Sequence, residues 1–459
     1  MAITAALPRS SLPWLALVAA LIWIATLSNP DRLGTIGYLI PFILTAAIIP
    51  AFVIFRATQG RSYAIASILV LVVLLVDWKT SPGEEFEIKW ETVAKVLTWV
   101  ALIGVAATQW RKIWRLFREP VVILLFAHIS YALISALWSE VPVFSAAGAL
   151  GHLAYALLAC TIVVNLRDQN LIRLLVWLWL ALVCSAYIAT AAVPDVGWYP
   201  PAADEGVYAW RIQGFSGHPN ILGGYAAILI LTATAARRTS LINWPMACAC
   251  VSIGIVTSLL TESRTSLIAV AVALGLVELR KSRFRGVITI VILGVLGFCF
   301  LLAACSAFPD ISGLLAIFSR SGRASEVTTL TGRTDLWDIA WANIKLKPIF
   351  GWGYYGTIDL IRSSADPKIA MYAKHAHNMF LQSLLQAGIL GSLPGFAILF
   401  LLIARFVTQP DPTRDQMTIF VLIHGFGEAG IFGLPIMTTI YFYWILVREA
   451  EKWLPRRTI

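Results

Sequence analysis

The chain is 459 residues long, 59% of them apolar and only 13% charged, with a formal net charge of +10 and a mean hydropathy of +0.79. Soluble proteins carry about twice that share of charge, so these values exclude a water-soluble globular enzyme and point to a polytopic membrane protein. Bilayer thickness, roughly 20 apolar residues per helix, therefore sets the element length.

In chain order, apolar runs mark spans at about 12–28, 34–55, 63–77, 92–110, 120–138, 143–164, 174–193, 219–236, 244–260, 265–279, 286–307, 377–407, 417–431 and 434–447. The last two are short, and only Gly430–Pro435 separates them. They read either as two spans or as one broken, re-entrant pair, so 12 to 14 transmembrane helices are expected. Arg9 followed by Leu12–Leu27 has the charge pattern of a signal peptide, but its apolar run is long and no small-x-small cleavage site follows. A retained first helix is expected. Cys160, Cys184, Cys248, Cys250, Cys299 and Cys305 all fall in apolar runs without a CxxC pair, and disulfides are not expected.

Basic residues cluster in alternate loops: Arg56/Arg61, Arg111/Lys112/Arg115/Arg118, Arg167/Arg173, Arg237/Arg238, Arg280/Lys281/Arg283/Arg285, Arg405/Arg414 and Arg448/Lys452/Arg456/Arg457. The positive-inside rule places these loops, with both termini, in the cytoplasm. The net positive charge is thus a topology signal and gives no reason to expect nucleic acid as a partner. The outside face then carries three notable loops: 194–218, the short turn Thr261–Arg264, and a long polar insert from Pro309 to Lys374 ending in His375-Ala376-His377-Asn378. The expected organisation is an N-terminal bundle (1–307) carrying the 194–218 loop, a large outside loop (308–376), and C-terminal helices with a cytoplasmic tail (377–459).

Within the insert, Leu336, Trp337, Ala340, Trp341 and Ile344 recur at helical spacing, with Thr331 or Thr334 as candidate cap. Gly351-Trp352-Gly353-Tyr354-Tyr355-Gly356 breaks regular structure. A further helix is expected to start at His377-Asn378 and to kink at Gly388–Gly391.

Several residues carry candidate chemistry. Arg211 and His218 lie in the loop that runs into the span at Pro219-Asn220, whose helix N-terminus offers free N–H groups to an anion. The alternative is an interfacial arginine reaching headgroups. Arg264 follows Glu262 in a turn so short that its guanidinium stays at the membrane surface, where it suits bidentate phosphate binding, or else pairs structurally with Glu262. Arg320, Arg323 and Arg333 add charge in the insert, and Arg333 stands at the start of its amphipathic helix. His377 is the candidate base, because histidine alone has an unperturbed pKa near neutrality. His375 competes for that role, and Asn378 stands beside it. His424 and Glu428, four apart on one helix inside the membrane, are candidates for function as intramembrane ionisable residues, or else a polar pair that orders the bundle. No HExxH, Walker, Rossmann, GxSxG or DxD pattern occurs, so neither a metal nor a cofactor is expected.

Taken in order, Arg211…Gly214…His218-Pro219-Asn220…Gly223, Ser263-Arg264-Thr265-Ser266, Thr331-Gly332-Arg333…Trp337, Ile349-Phe350-Gly351-Trp352-Gly353-Tyr354, His377-Asn378-Met379-Phe380-Leu381 and Gly388-Ile389-Leu390-Gly391 resemble the O-antigen ligase and polymerase superfamily of bacterial envelope glycosyltransferases. The resemblance covers about 205–395. It implies an all-α, GT-C-like membrane fold in the bacterial inner membrane and metal-independent, inverting transfer from an undecaprenyl-diphosphate-linked saccharide on the periplasmic face. Carried onto this chain, it gives Arg211, Arg264 and Arg333 to the donor diphosphate and makes His377 the base, with Glu262, His218, Asn378 and His375 in support. The Trp- and Tyr-rich insert resembles the exopolysaccharide-polymerase branch, whose acceptor is a lipid-linked repeat unit, and on either branch its aromatics would suit sugar stacking. A ligase would instead use lipid A–core. Membrane lipids, chain-length regulators and export proteins are the further partners implied. A lipid-linked oligosaccharide flippase is the alternative from another class, motivated by the many spans and by His424/Glu428, and an assembly scaffold is a third.

Overall fold

A computed structural model describes residues 90–201, 210–280, 333–364, 375–433 and 437–453. The spans expected at 12–28, 34–55, 63–77 and 286–307 lie outside the described residues, as do Thr331, Arg320 and Arg323. The protein is an all-α polytopic membrane protein. Its helices are α1 (Trp90–Thr108), α2 (Pro120–Ile134), α3 (Pro142–Asn165), α4 (Asp168–Ala192), α5 (Pro219–Arg238), α6 (Trp244–Leu260), α7 (Arg264–Leu279), α8 (Arg333–Leu346), α9 (Thr357–Ser364), α10 (Met379–Thr408), α11 (Pro412–Gly425) and α12 (Met437–Trp453). Two short antiparallel strands, β1 (Trp198–Tyr199) and β2 (Arg211–Ile212), pair Trp198 with Ile212 and Tyr199 with Arg211.

Proline stands at the first turn of α2, α3, α5, α6 and α11, where its missing N–H costs nothing. Among the described residues, five helices are long and apolar enough to cross a membrane: α2 with its 3₁₀ extension, α3, α4, α5 and α10. In α5, 83% of the most apolar stretch is buried, against 44% in α2 and in α10. Thus α5, with α3 at 78%, is central among the described helices, while α2 and α10 each keep an exposed apolar stripe, including Ile123, Leu133, Leu393, Phe400 and Ile403.

α10 contains a designed break. Gly388 has φ 59° and ψ −169° inside what is otherwise one long helix, the kink expected from Gly388–Gly391. Backbone groups released by such a break must be paired again, because lipid offers no partners. Residues 348–353 of the insert supply them: Trp352 N donates to Leu385 O (2.9 Å), Gly353 N to Gln386 O (2.9 Å), Ile389 N to Pro348 O (2.8 Å) and Leu390 N to Ile349 O (3.1 Å). A Cβ on Gly388 would lie 2.2 Å from Ile349 O, so both the conformation and the space require glycine.

The insert's amphipathic helix forms as α8, with Leu336, Ala340 and Ile344 packed on Ile361, Ala376 and Leu385. It starts at Arg333, which puts Thr334 in its first turn and not at the cap. Trp341, expected on the apolar face, is exposed. The glycine-aromatic run is irregular as expected, but Tyr354 does not face outward. It is buried in the bundle, where its hydroxyl meets His152 Nε2 and Gly433 O, while His152 Nδ1 lies 2.7 Å from Tyr443 Oη. Tyr354 is therefore a plug that fixes the insert to the membrane domain, and it is unavailable for stacking on a sugar.

A buried ion network closes the opposite end of the bundle. Arg414 is 1% exposed. It reaches Asp415 Oδ1 (2.7 Å) and Glu449 Oε2 (3.0 Å) and donates to Arg405 O (3.1 Å). Arg280 reaches Asp415 Oδ2 at 2.6 Å, Arg448 joins Asp168, Asp411 and Glu449, and Lys452 meets Asp411 at 2.5 Å. Charges from α4, α7, α11 and α12 and from the α10–α11 turn thus share one cluster, whose loss one partner at a time is costly. Asp411 also caps α11 through Arg414 N. Burial by itself would raise its pKa, but Arg448 and Lys452 outweigh that and hold the carboxyl below the usual range.

A carboxyl with a lowered folded-state pKa contributes stability that is fully present above its unfolded value of about 3.9 and is lost as pH falls through the folded value. Thermal unfolding in detergent is therefore expected to be insensitive to Asp411 titration above about pH 4 and to lose stability below it. Asp411→Asn should be less stable at neutral pH and show a flatter acid limb; an unchanged acid limb refutes the assignment. Gly388→Ala is expected to cost about 2 kcal/mol or more from strain and clash, read as a lowered midpoint in the same measurement.

Candidate functional site

The end of the bundle opposite the ion network gathers residues from five separate segments. β2 turns Arg211 inward, where it is 3% exposed. Its Nε donates to Thr261 O (2.8 Å) and its Nη2 to Asn220 Oδ1 (2.8 Å). These bonds strap the 210–218 loop to the α6–α7 turn and to the first turn of α5. His218 is the N-cap of α5. Its Nδ1 accepts from Asn220 N (3.1 Å) and its ring stands edge-on to Tyr199 at 5.5 Å. In the α6–α7 turn Glu262 adopts φ 49°, Arg264 N donates to Glu262 O (3.0 Å), and Arg264 opens α7.

Glu428 connects these pieces to the insert. Its Oε1 accepts from Asn220 Nδ2 (2.9 Å) and from Arg333 Nη2 (3.0 Å). Its Oε2 lies 3.3 Å from His377 Nδ1, an ion-pair distance outside hydrogen-bond alignment. Arg333 Nη1 is 3.5 Å from Thr265 Oγ1, so the first turn of α8 lies against the first turn of α7. A Cβ at Gly427 would fall 2.6 Å from Arg333 Nη1, which explains why the residue before the carboxylate has no side chain.

The pairing expected between His424 and Glu428 on one helix is not what forms. α11 ends at Gly425, so Glu428 leaves the helical phase and turns to Arg333, Asn220 and His377. His424 instead stacks on Phe420 with ring centroids 5.0 Å apart.

His377 has φ 45°, one of three non-glycine residues with positive φ among those described. Such a conformation costs of order 1 kcal/mol and persists only where surroundings enforce it. Asn378 enforces it on one side, capping α10 by accepting from Phe380 N (3.0 Å) and Leu381 N (3.1 Å). Gln382 does so on the other: its Oε1 accepts from Ala376 N (2.8 Å) and its Nε2 donates to Thr357 Oγ1 (3.1 Å). His375 faces His377 with ring centroids 4.1 Å apart. Burial, then the neighbouring His377, pull the His375 pKa well below 6.5, which keeps that imidazole neutral.

The first turns of α5, α7, α8 and α10 thus meet around one carboxylate. Each helix N-terminus carries a partial positive charge, and Arg264 and Arg333 add two full ones; the free N–H groups expected at the start of α5 are taken by His218, as those of α10 are by Asn378. Charge of this kind suits a ligand with several negative oxygens. Of the residues expected at the site, Arg211, Arg333, His377 and His375 belong to one connected cluster, while Glu262 and Arg264 border it through the turn that holds Thr261 and Thr265. Asn378 and His218 act as helix caps. Asn220, Glu428 and Gln382 were not among the expected site residues. Asn220 was legible in His218-Pro219-Asn220, and Glu428 as a carboxylate inside a membrane span. Absence of a metal was expected from missing motifs, yet His375, His377 and Glu428 place one ligand atom each within 4.8 Å of one another.

Residues 249–394 match the family model for O-antigen ligase. This match, over less than half of the chain, supports a relation to the O-antigen ligase/polymerase superfamily. No curated protein matches the chain. The O-antigen ligase domain contains Arg264, Arg333, His375 and His377, while Arg211, Asn220 and Glu428 come from outside it. The site is therefore completed by segments that flank the domain on both sides.

If Glu428 couples Arg333 to the rest, its contribution and that of Arg333 must be non-additive. A double-mutant cycle with Glu428→Gln and Arg333→Ala, read by unfolding in detergent, is expected to show a coupling of about 0.5–3 kcal/mol. Strict additivity would show that the contact carries no energy.

Proposed function

We propose that the chain is a glycosyltransferase that polymerises undecaprenyl-diphosphate-linked saccharide units at the periplasmic face of the bacterial inner membrane. The convergence of four helix N-termini and the arginines on the Glu428–His377 pair carries this reading. Arg264 and Arg333 hold the donor diphosphate, and Arg211, buried behind them, keeps the α6–α7 turn in place and adds positive potential. His377 takes the proton of an acceptor hydroxyl. That oxygen attacks the anomeric carbon from the face opposite the diphosphate, the carbon–oxygen bond to the diphosphate breaks, and the sugar inverts. The departing diphosphate gains negative charge, which fixed guanidinium groups stabilise without reorganising. Glu428, 3.3 Å from His377 Nδ1, stabilises the imidazolium that forms, so it is a positioning residue for the base.

Sidedness supports the same reading. Arg280, Arg405, Arg414, Arg448 and Lys452 share the end away from His377, which the positive-inside rule assigns to the cytoplasm. The donor's lipid tail stays beside the exposed apolar stripes. With Tyr354 withdrawn into the bundle, Trp210, Trp341 and Phe350 remain exposed as aromatic surfaces for saccharide.

The test is transfer from an undecaprenyl-diphosphate oligosaccharide by purified protein in nanodiscs. A product ladder on a lipid-linked acceptor is expected, and transfer to lipid A–core in its place would make the protein a ligase. His377→Ala should lower kcat by about 10²–10⁴. Arg264→Ala should cost more than Arg264→Lys, because lysine keeps the charge but loses the bidentate fork. Wild-type turnover in both His377→Ala and Arg264→Ala would sink the mechanism.

A further inference from the structure

We propose that His375, His377 and Oε2 of Glu428 form a binding site for one transition-metal dication of the zinc class, and that its occupancy shuts the enzyme off. The geometry begins with the carboxylate. Asn220 and Arg333 both use Oε1, which leaves Oε2 directed at His377 Nδ1 at 3.3 Å. Two ligands bound at about 2.0–2.2 Å to a tetrahedral centre stand roughly 3.3–3.5 Å apart, so this pair is already at ligand spacing. The third ligand comes from His375. All three ligand atoms lie within 4.8 Å of one another, and the widest pair needs to close by little more than about 1 Å.

His375 Nδ1 and His377 Nδ1 are buried and take part in no hydrogen bond with the protein. Buried ring nitrogens are ordinarily satisfied, and a shared cation would satisfy both. Two imidazoles with one carboxylate are a donor set for Zn²⁺, Cu²⁺ or Ni²⁺ rather than for Mg²⁺ or Ca²⁺, which prefer oxygen. Three protein ligands leave a fourth position open. The supporting contacts are also present. Asn220 and Arg333 orient the carboxylate from behind, and the Asn378 cap and Gln382 hold the 375–378 backbone, the kind of outer support that tunes a metal site. Arg333 is a neighbouring positive charge. It weakens the site relative to an isolated His₂Glu set, which suits a reversible ion better than a resident one.

The consequence for activity rests on His377 being the base. A neutral imidazole that gives one nitrogen to a metal carries its proton on the other. No lone pair is then left to accept the acceptor's proton, and the Oε2 that would stabilise the imidazolium is occupied as well. Coordination needs no redox step and no co-reactant.

The experiment titrates Zn²⁺ alone into the full chain in nanodiscs, prepared without a polyhistidine tag, by calorimetry. Co²⁺ serves in parallel as a spectroscopic probe. One equivalent is expected to bind, with a tetrahedral Co²⁺ absorption and a zinc absorption-edge spectrum showing two imidazoles. His375→Gln and Glu428→Gln should each weaken binding by at least about tenfold. The wild-type spectra decide the ligand set even if a variant fails to fold. No binding, a spectrum without imidazole, or equal affinity in both variants overturns the site. In the transferase assay, activity should fall in step with occupancy and return with chelator, and full activity at full occupancy overturns the inhibition. Metal-free protein with no transferase activity would instead count against the proposed function, while the calorimetry still decides the site.

Discussion

A single carboxylate, that of Glu428, holds together the end of the bundle where the insert docks. It lies in the loop after α11 and receives Asn220 from α5 and Arg333 from α8, with His377 from the start of α10 at 3.3 Å. Hydrogen bonds between charged groups contribute roughly 1.5–3 kcal/mol each, and leaving such a partner unpaired costs more. One residue therefore determines where an insert helix, a bundle helix and a strained histidine meet. The same carboxylate sets the chemistry: one oxygen is committed to structure and the other faces the imidazole.

The constraint behind this arrangement is that lipid satisfies no backbone group. The insert cannot simply lie on the membrane domain. It enters the domain at the break in α10, pairing its own backbone with carbonyls and N–H groups that Gly388 releases, and it anchors there with Tyr354 beside His152. The polar loop and the bundle thus form one continuous hydrogen-bonded body, which holds an imidazole of the loop side against a carboxylate of the bundle side.

The two ends of the bundle use charge differently. At the end with Arg414, acids and bases neutralise one another in a closed, buried network that clamps α4, α7, α11 and α12. At the other end, the first turns of four helices gather with Arg211, Arg264 and Arg333 around Glu428, and Glu262 lies in the bordering turn. The O-antigen ligase domain supplies part of that charge, and its flanking segments supply the carboxylate, the asparagine and Arg211.

By itself, the sequence determined the membrane class, the apolar helices at 120–138, 143–164, 174–193, 219–236 and 377–407 and the distribution of positive charge, because these follow from hydropathy and composition summed over many residues. It also marked the kink at Gly388, the amphipathic helix at Leu336–Ile344 and the set Arg211, Arg264, Arg333 and His377, since glycine runs, helical periodicity and isolated charges in apolar surroundings are local signals. Which charges meet was decided only by the tertiary structure. His424 and Glu428 look paired at a spacing of four, but α11 ends between them and sends Glu428 to partners 51 to 208 positions away in the chain. Tyr354 looks like a sugar platform and is a buried plug, and Asn378, expected in support of His377, caps the helix that begins beside it. Each of these outcomes depends on where a helix stops or which segment fills a break, and such choices are made by backbone groups far apart in sequence that must pair because no water reaches them.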